Sequence, residues 1–539
     1  MANSFLPTST KQFCNELLDL HKALRLKIAN LQKETPKSHL LLLLLFFTLG
    51  FALRFNHLFQ PIRYDEALTY VYYAAKPISY GLSNYFNPNN HPLNTLCIHL
   101  STALFGNHEW AIRLPSFVVG NLLVLAVYLF GRSTCSSSVG LLACGLTASS
   151  SCLIGYSCNG RGYLFVCLFT VLAAIFAKGL QQSVKKPTLA RSLPIILCGA
   201  LGAWSIPTMA LPFAGLMLWL LCFRQERKEL IFVGLLTTLA VGLLYLPIFL
   251  HSGLSALTSN PFVVAQKGDF LSSLKNGAQK LFSLWHRDQP LPFVLLLLIS
   301  FFFAHKKFQK INIFYFILLT SLAFTFFRRV FPYLRVWSYL LPFYHLTCAC
   351  GLLALIRKIT DRTDGLNTNH TTLAGAPKPP SDVTLITICA FCLPLFFFVF
   401  TSTSIEDSEE TGLFKSAAQV ATIIKESVFK EDRVLAWRPA DMPLLYYMLK
   451  KRKSAHYLLS DVSASAKVEE QLREMKRGGR LMIVVKKPGQ KLADVLAGTN
   501  FPKEKFSPLH PLKDIAGAKL YGAICLKTSR PKPADASRR

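Results

Sequence analysis

LLLLLLFFTLGFALRFNH, residues 40–57, is long and apolar enough to cross a hydrocarbon core about 30 Å thick as a single helix. Runs of the same character follow near 112–131, 137–157, 162–180, 193–206, 207–223, 229–250, 291–304, 311–327, 336–356 and 383–401. Pro207 and Pro212 interrupt one apolar stretch between 193 and 223, so two spans are expected there. Eleven runs of this kind predict a mainly α-helical, polytopic membrane bundle.

The bulk composition agrees. The chain has 539 residues, of which 52% are hydrophobic and only 16% charged, and a mean hydropathy of +0.36. A soluble protein of that length carries more charge. The formal charge of +30 also fits nucleic-acid binding. The Lys and Arg residues, however, lie between the apolar runs and toward the C-terminus, and no nucleic-acid reading motif is present. Most of the fourteen cysteines, such as Cys144, Cys152, Cys167 and Cys198, fall inside apolar runs, where they act as small packing residues. Cys389 and Cys392 form a CxxC pair inside an apolar run, where packing is again the reading.

Basic residues set the orientation. With the N-terminus inside, the inner connections collect Lys22, Arg25, Lys33, Arg132, Lys178, Lys186, Arg224, Lys228, Lys306, Arg357 and Lys358. An odd number of spans then puts the C-terminal region outside. The first span follows a basic stretch and is expected to act as an uncleaved signal-anchor. Residues 1–38 read as a cytoplasmic segment whose Phe13, Leu17, Leu20, Leu24, Ile28 and Leu31 form one helical stripe. Residues 39–403 form the membrane domain, with long outer loops at 58–111 and 251–290 and an inner linker at 361–381. From 404 to 527 strand-like runs (433–437, 481–485, 520–526) alternate with helix-like ones (414–428, 468–475, 491–496), which predicts a small extracytoplasmic α/β domain. Asp441, Tyr446 and Tyr447 fall near the end of the first of these strands. Residues 528–539 read as a disordered basic tail.

The chemistry is sought in the outer connections. Asp65 and Glu66 follow the first span in RYDEA, and Glu109 and Arg113 precede the second in GNHEWAIRLPSFVVGNLLVLAVYLFGR. His91 lies between them in NNHPLNTL. Arg328, Arg329 and Arg335 in FRRVFPYLRVWSYLLPFY break the positive-inside trend. They read either as interface anchors or as a grip for phosphate, which guanidinium groups hold bidentately. Arg161 and Tyr163, in NGRGYLF, stand at the outer end of another span.

The order DEA, then HPL, then GxxExAxRLPS running into a helix that ends YLFGR resembles the GT-C superfamily. These are integral-membrane glycosyltransferases, including the polyprenyl-phosphate-sugar-dependent mannosyl- and aminoarabinosyltransferases. The likeness is strongest over 40–180. HPL in place of the usual HPP, and Gly160 before Arg161, depart from the pattern. The resemblance implies that Asp65 orients or deprotonates the acceptor hydroxyl, with Glu66 and Glu109 as further acids. It implies that Arg335 and Arg161, with Tyr163, bind the donor phosphate; Arg329, His91 and Arg113 are further substrate-binding candidates from their place in the outer connections. A divalent metal ion is left open as a cofactor, with Glu66 and His91 as its candidate ligands. The expected partners are a polyprenyl-phosphate-linked sugar, a lipid, glycan or protein acceptor, and membrane lipids. The expected location is a bacterial inner membrane. The rivals are a transporter or lipid flippase, which calls for buried mid-span charge and repeated halves, and a non-catalytic scaffold. The spans are nearly free of ionisable residues and the halves differ, so the enzyme is preferred.

Overall fold

The computed structural model describes residues 35–184, 186–258, 269–304, 308–367, 382–429, 431–450, 458–460 and 465–526, with scattered positions between 10 and 25. Phe13, Leu20, Leu24, Ile28 and Leu31 of the N-terminal stripe, the linker beyond 367 and the tail 528–539 lie outside the described residues. The chain divides into two compact units. One comprises Met1–Leu58, Pro77–Leu104 and Arg113–Glu406. The other comprises Phe59–Lys76, Phe105–Ile112 and Asp407–Arg539.

Every expected span is helical. Six helices are long and apolar enough to cross a membrane: Lys37–Leu58, Glu109–Thr134, Tyr163–Gln182, Arg227–Ser252, Leu334–Ile359 and Thr384–Thr401. Shorter apolar helices, Leu189–Ser205, Pro207–Phe223, Leu291–Ala304 and Ile313–Arg328, fill four more expected positions. Leu189–Ser205 stops because Ile206 is extended (φ −147°, ψ 129°), as the ring of the following Pro207 requires. Pro212 lies in the first turn of the α-helical part of the next helix, Ala210–Phe223, where a missing N–H is tolerated. Gly351 fixes one helix crossing: a β-carbon there would stand 1.7 Å from the Ser300 carbonyl oxygen.

Two expectations need correction. The run at 137–157 is not one straight span but two helices, Ser137–Ala148 and Ser151–Ser157, bent by 64°. The Ser149 hydroxyl donates back to the Gly145 carbonyl (2.9 Å), competing with the helical ladder. The break frees the carbonyls of Thr147 and Ala148, and within a membrane such groups must be satisfied by protein. Arg54 does this. Its guanidinium, fully buried in the first span, donates to Ala148 O (3.0 Å), Gly50 O (2.9 Å), Thr147 O (3.5 Å) and Ser157 Oγ (3.1 Å). On the far side of the break the Ser151 hydroxyl donates to Asp288 (2.5 Å), which also accepts from Ser402 (2.6 Å) and Ser404 (2.5 Å). Arg54 is thus a buried charge in the last turns of a span helix, and one with a structural task. The second correction concerns the linker: residues 361–367 continue the helix Leu341–Asn367.

The second unit holds a five-stranded sheet. Its strands are β1 (Arg433–Ala436), β2 (Leu458–Leu459), β3 (Arg480–Lys486), β4 (His510–Ile515) and β5 (Ala518–Ile524), in the order β2-β1-β3-β5-β4. β1 pairs in parallel with β2 and β3, and such pairs need crossovers. The helices Asp441–Lys450 and Ser465–Glu474 provide them. The central strand β3 is buried from Leu481 onward and reads as a continuous apolar run, as a strand covered on both faces should. β4 and β5 join antiparallel through Ala516 and Gly517, where φ is +86°. Asp441, Tyr446 and Tyr447 therefore lie on a helix rather than at a strand end.

Candidate functional site

The arginine side belongs to the membrane unit. The fully buried Arg161 donates through Nη1 to the Asn89 carbonyl (2.6 Å) and through Nη2 to Asn89 Oδ1 (3.0 Å). These amide oxygens orient the guanidinium but carry no charge to neutralise it. Behind it, Ser116 donates to the Arg161 carbonyl (2.9 Å), and Asn94 to that of Gly160 (3.1 Å). The Tyr163 ring serves two cations: Arg161 lies 5.8 Å and Arg335 5.9 Å from its centroid. Arg335 is also 5.1 Å from the exposed ring of Tyr333. Paired guanidinium groups on aromatic faces are suited to phosphate, which both groups can meet with several N–H donors.

His91 completes this cluster. Its Nδ1 accepts from Gly162 N–H (2.9 Å), its Nε2 lies 3.1 Å from Arg161 Nη2, and its ring stands edge-on to Tyr163 (5.2 Å). A neutral imidazole has one acceptor nitrogen, so only one of the two contacts is a hydrogen bond. Burial, then the charges of Arg161 and Arg335, push His91 well below the usual imidazole value. It is a neutral neighbour of Arg161, held in place by the Gly162 N–H. Arg113 is also fully buried, and it donates to the Leu58 carbonyl (2.9 Å) at the end of the first span helix. Arg329 stands exposed just past the helix Phe308–Arg328, with φ at +51°, and its charge bears on Asp269.

The acids belong to the second unit. Asp65 and Glu66 lie in the first turn of the helix Tyr64–Thr69 and are buried, at 8% and 0% exposure. Glu66 accepts from Arg63 N–H (2.8 Å) and so caps its own helix. This helix is fastened from the C-terminal segment: Tyr64 N–H donates to Gly412 O (2.9 Å), and Arg438 Nε donates to the Tyr64 hydroxyl (3.0 Å). Glu109 accepts from Lys450 Nζ (2.6 Å). Tyr446 donates to the Asn107 carbonyl (2.6 Å), and Tyr447 accepts from Ile62 N–H (3.2 Å). Burial, with Glu109 and Tyr447 alongside, raises the Tyr446 phenol, which keeps it a neutral donor.

Sequence reasoning missed Asn89, Lys450 and Arg438. Asn89 adjoins His91 and was within reach, whereas Lys450 and Arg438 are more than three hundred positions from the residues they hold. As metal ligands, neither Glu66 nor His91 is well set. The Glu66 carboxylate caps a helix, and both His91 nitrogens face N–H groups. Among the described residues, no group of three His, Cys, Asp or Glu is arranged to hold a metal ion.

Comparison with known proteins follows the same lines. Residues 88–251, which carry His91, Arg113, Arg161 and Tyr163, match the family described as dolichyl-phosphate-mannose-protein mannosyltransferase. The fold is similar to that of ArnT from Cupriavidus metallidurans in the apo state. That match has a TM-score of 0.59 at 15% identity and covers 89% of this chain and 97% of the other. The same enzyme bound to undecaprenyl phosphate gives a TM-score of 0.60 at 13% identity, over 91% and 99%. The Archaeoglobus fulgidus oligosaccharyltransferase in its apo form gives 0.53 at 13% identity, over 92% and 74%. No curated protein sequence matches the chain. Fold and motif together place the chain in the GT-C superfamily of membrane glycosyltransferases.

Proposed function

We propose that this enzyme moves a sugar from a polyprenyl-phosphate carrier to a lipid, glycan or protein acceptor on the outer side of a bacterial inner membrane. The N-terminus would be cytoplasmic and the C-terminus outside. The observation that carries the reading is the pair of guanidinium groups sharing the Tyr163 ring within a GT-C fold. The solved ArnT complex with undecaprenyl phosphate supports the choice of carrier.

In this mechanism Asp65 takes the proton of the acceptor hydroxyl as its oxygen bonds to the anomeric carbon. The bond from that carbon to the carrier phosphate breaks, and the electron pair leaves with the phosphate. Arg335 and Arg161 stabilise the charge that develops there, so the leaving group needs no acid. Asn89 keeps Arg161 aimed. Glu66 and Glu109 shape the acidic segment, and no step is routed through a metal.

The test is transfer by membranes containing the protein, with radiolabelled polyprenyl-phosphate sugar as donor. Asp65→Asn should lower the rate on the order of a hundred- to ten-thousandfold at unchanged expression. Full activity in that variant would remove Asp65 from the mechanism. Comparing lipids and glycans of cells with and without the protein by mass spectrometry would identify sugar and acceptor.

A further inference from the structure

One short helix reaches both feet of the acid-bearing loop. Tyr446 and Tyr447 lie four and three positions before Lys450 and share its face of the helix Asp441–Lys450. From that face Tyr447 takes the Ile62 N–H at the loop's entry. Tyr446 holds the Asn107 carbonyl at its exit, and Lys450 meets Glu109 two residues on. Tyr70, from the segment that follows the acids, packs its ring edge-on against Tyr446 (5.7 Å). The ion pair is sheltered, its side chains 25% and 19% exposed, so the contact is worth more than a surface pair. Lys450 Nζ also lies 5.5 Å from the centre of the Tyr446 ring, which fixes its direction. A domain serving only as a cover has no need to fasten each end of the loop through buried hydrogen bonds and a sheltered charge pair.

We propose that Lys450 is a positioning residue for Glu109, through which the helix Asp441–Lys450 sets the geometry of the carboxylates that receive the acceptor. The inference rests on the glycosyl-transfer reading above and deepens it. The C-terminal segment is part of the acceptor machinery: it supplies the cation that orients the second acid and the phenols that hold the loop's two ends.

A double-mutant cycle on the full-length chain, read as the initial transfer rate in membranes that supply their own acceptor, decides it. Lys450→Met and Glu109→Gln should each lower the rate on the order of a hundredfold, because misplacing a reacting group by about 1 Å costs that much. The double variant should be no slower than either single one, since coupled residues are not additive. Lys450→Arg should recover most of the rate. Should Lys450→Met alone fail to fold, the double variant removes both charges and still gives the comparison with Glu109→Gln. Multiplying losses, an unaffected Lys450→Met or an inactive Lys450→Arg would each overturn the inference. Normal wild-type transfer with an unaffected Lys450→Met sinks this inference alone, whereas a wild-type chain that transfers no sugar sinks the functional reading with it.

Discussion

His91 is held neutral by its surroundings, and this links the protein's stability to pH. In the folded chain its proton affinity is depressed by burial and by the two arginines, while in the unfolded chain it returns to about 6.5. The unfolded state therefore takes up a proton that the folded state refuses. The contribution is complete above about pH 6.5 and shrinks as pH falls below it, by about 1.4 kcal/mol per pH unit until the folded value is reached. Thermal unfolding in detergent should show a midpoint that drops between pH 7 and pH 5. His91→Gln should make that fall shallower, with His286 still lowered by burial, and an equally steep fall in the variant would place its source elsewhere. At this scale the sequence was informative where chemistry sits beside a motif. His91, Arg161, Tyr163 and Arg335 were all singled out, and the structure brings these four together around one ring. It was silent on what holds them, because Asn89 looks like any loop amide until Arg161 is seen to donate to it twice.

The helices show a similar division. Length and hydropathy locate apolar helices at all eleven expected positions, six of them long and apolar enough to cross a membrane. The bend between Ala148 and Ser151 was hidden, because the groups that make it tolerable, Arg54 and Asp288, are distant in sequence. β4 was hidden for another reason: its residues His510–Asp514 are all exposed, so they show no alternation to read. Arg54→Met should leave the carbonyls of Thr147 and Ala148 without their donor in apolar surroundings. A loss of about 3 kcal/mol or more is expected, seen as a lower unfolding midpoint and a smaller monodisperse fraction in detergent. At the crossing of Leu291–Ala304 with Leu341–Asn367, Gly351→Val should separate the two helices, and Gly351→Ala should already cost stability, given the Ser300 oxygen in its path. A Gly351→Val chain with an unchanged midpoint would show that the crossing is loose.

At the scale of the molecule, the two kinds of charge ride on different units. Arg161 and Arg335 belong to the helical one, whereas Asp65, Glu66 and Glu109 belong to the one that holds the sheet. A chain ending at Glu406 keeps all five residues but loses the partners of Tyr64, Asn107 and Glu109. It should insert in the membrane at normal levels and yet transfer no sugar above background. Wild-type transfer by that truncated chain would show that the acids need no support from the C-terminal segment. The sequence drew the border at 404 and treated the loop at 58–111 as belonging to the membrane domain. Sequence order cannot reveal that two pieces of this loop pack with residues from 407 onward, because packing across hundreds of positions leaves no local pattern.

The ring of Tyr163 is a shared bearing, and whatever happens to it happens to both of the cations it carries. Exchange it for leucine and Arg161 and Arg335 lose their common face in a single stroke, though neither codon has been touched. A survey that scored each arginine by itself would overlook the ring that faces both.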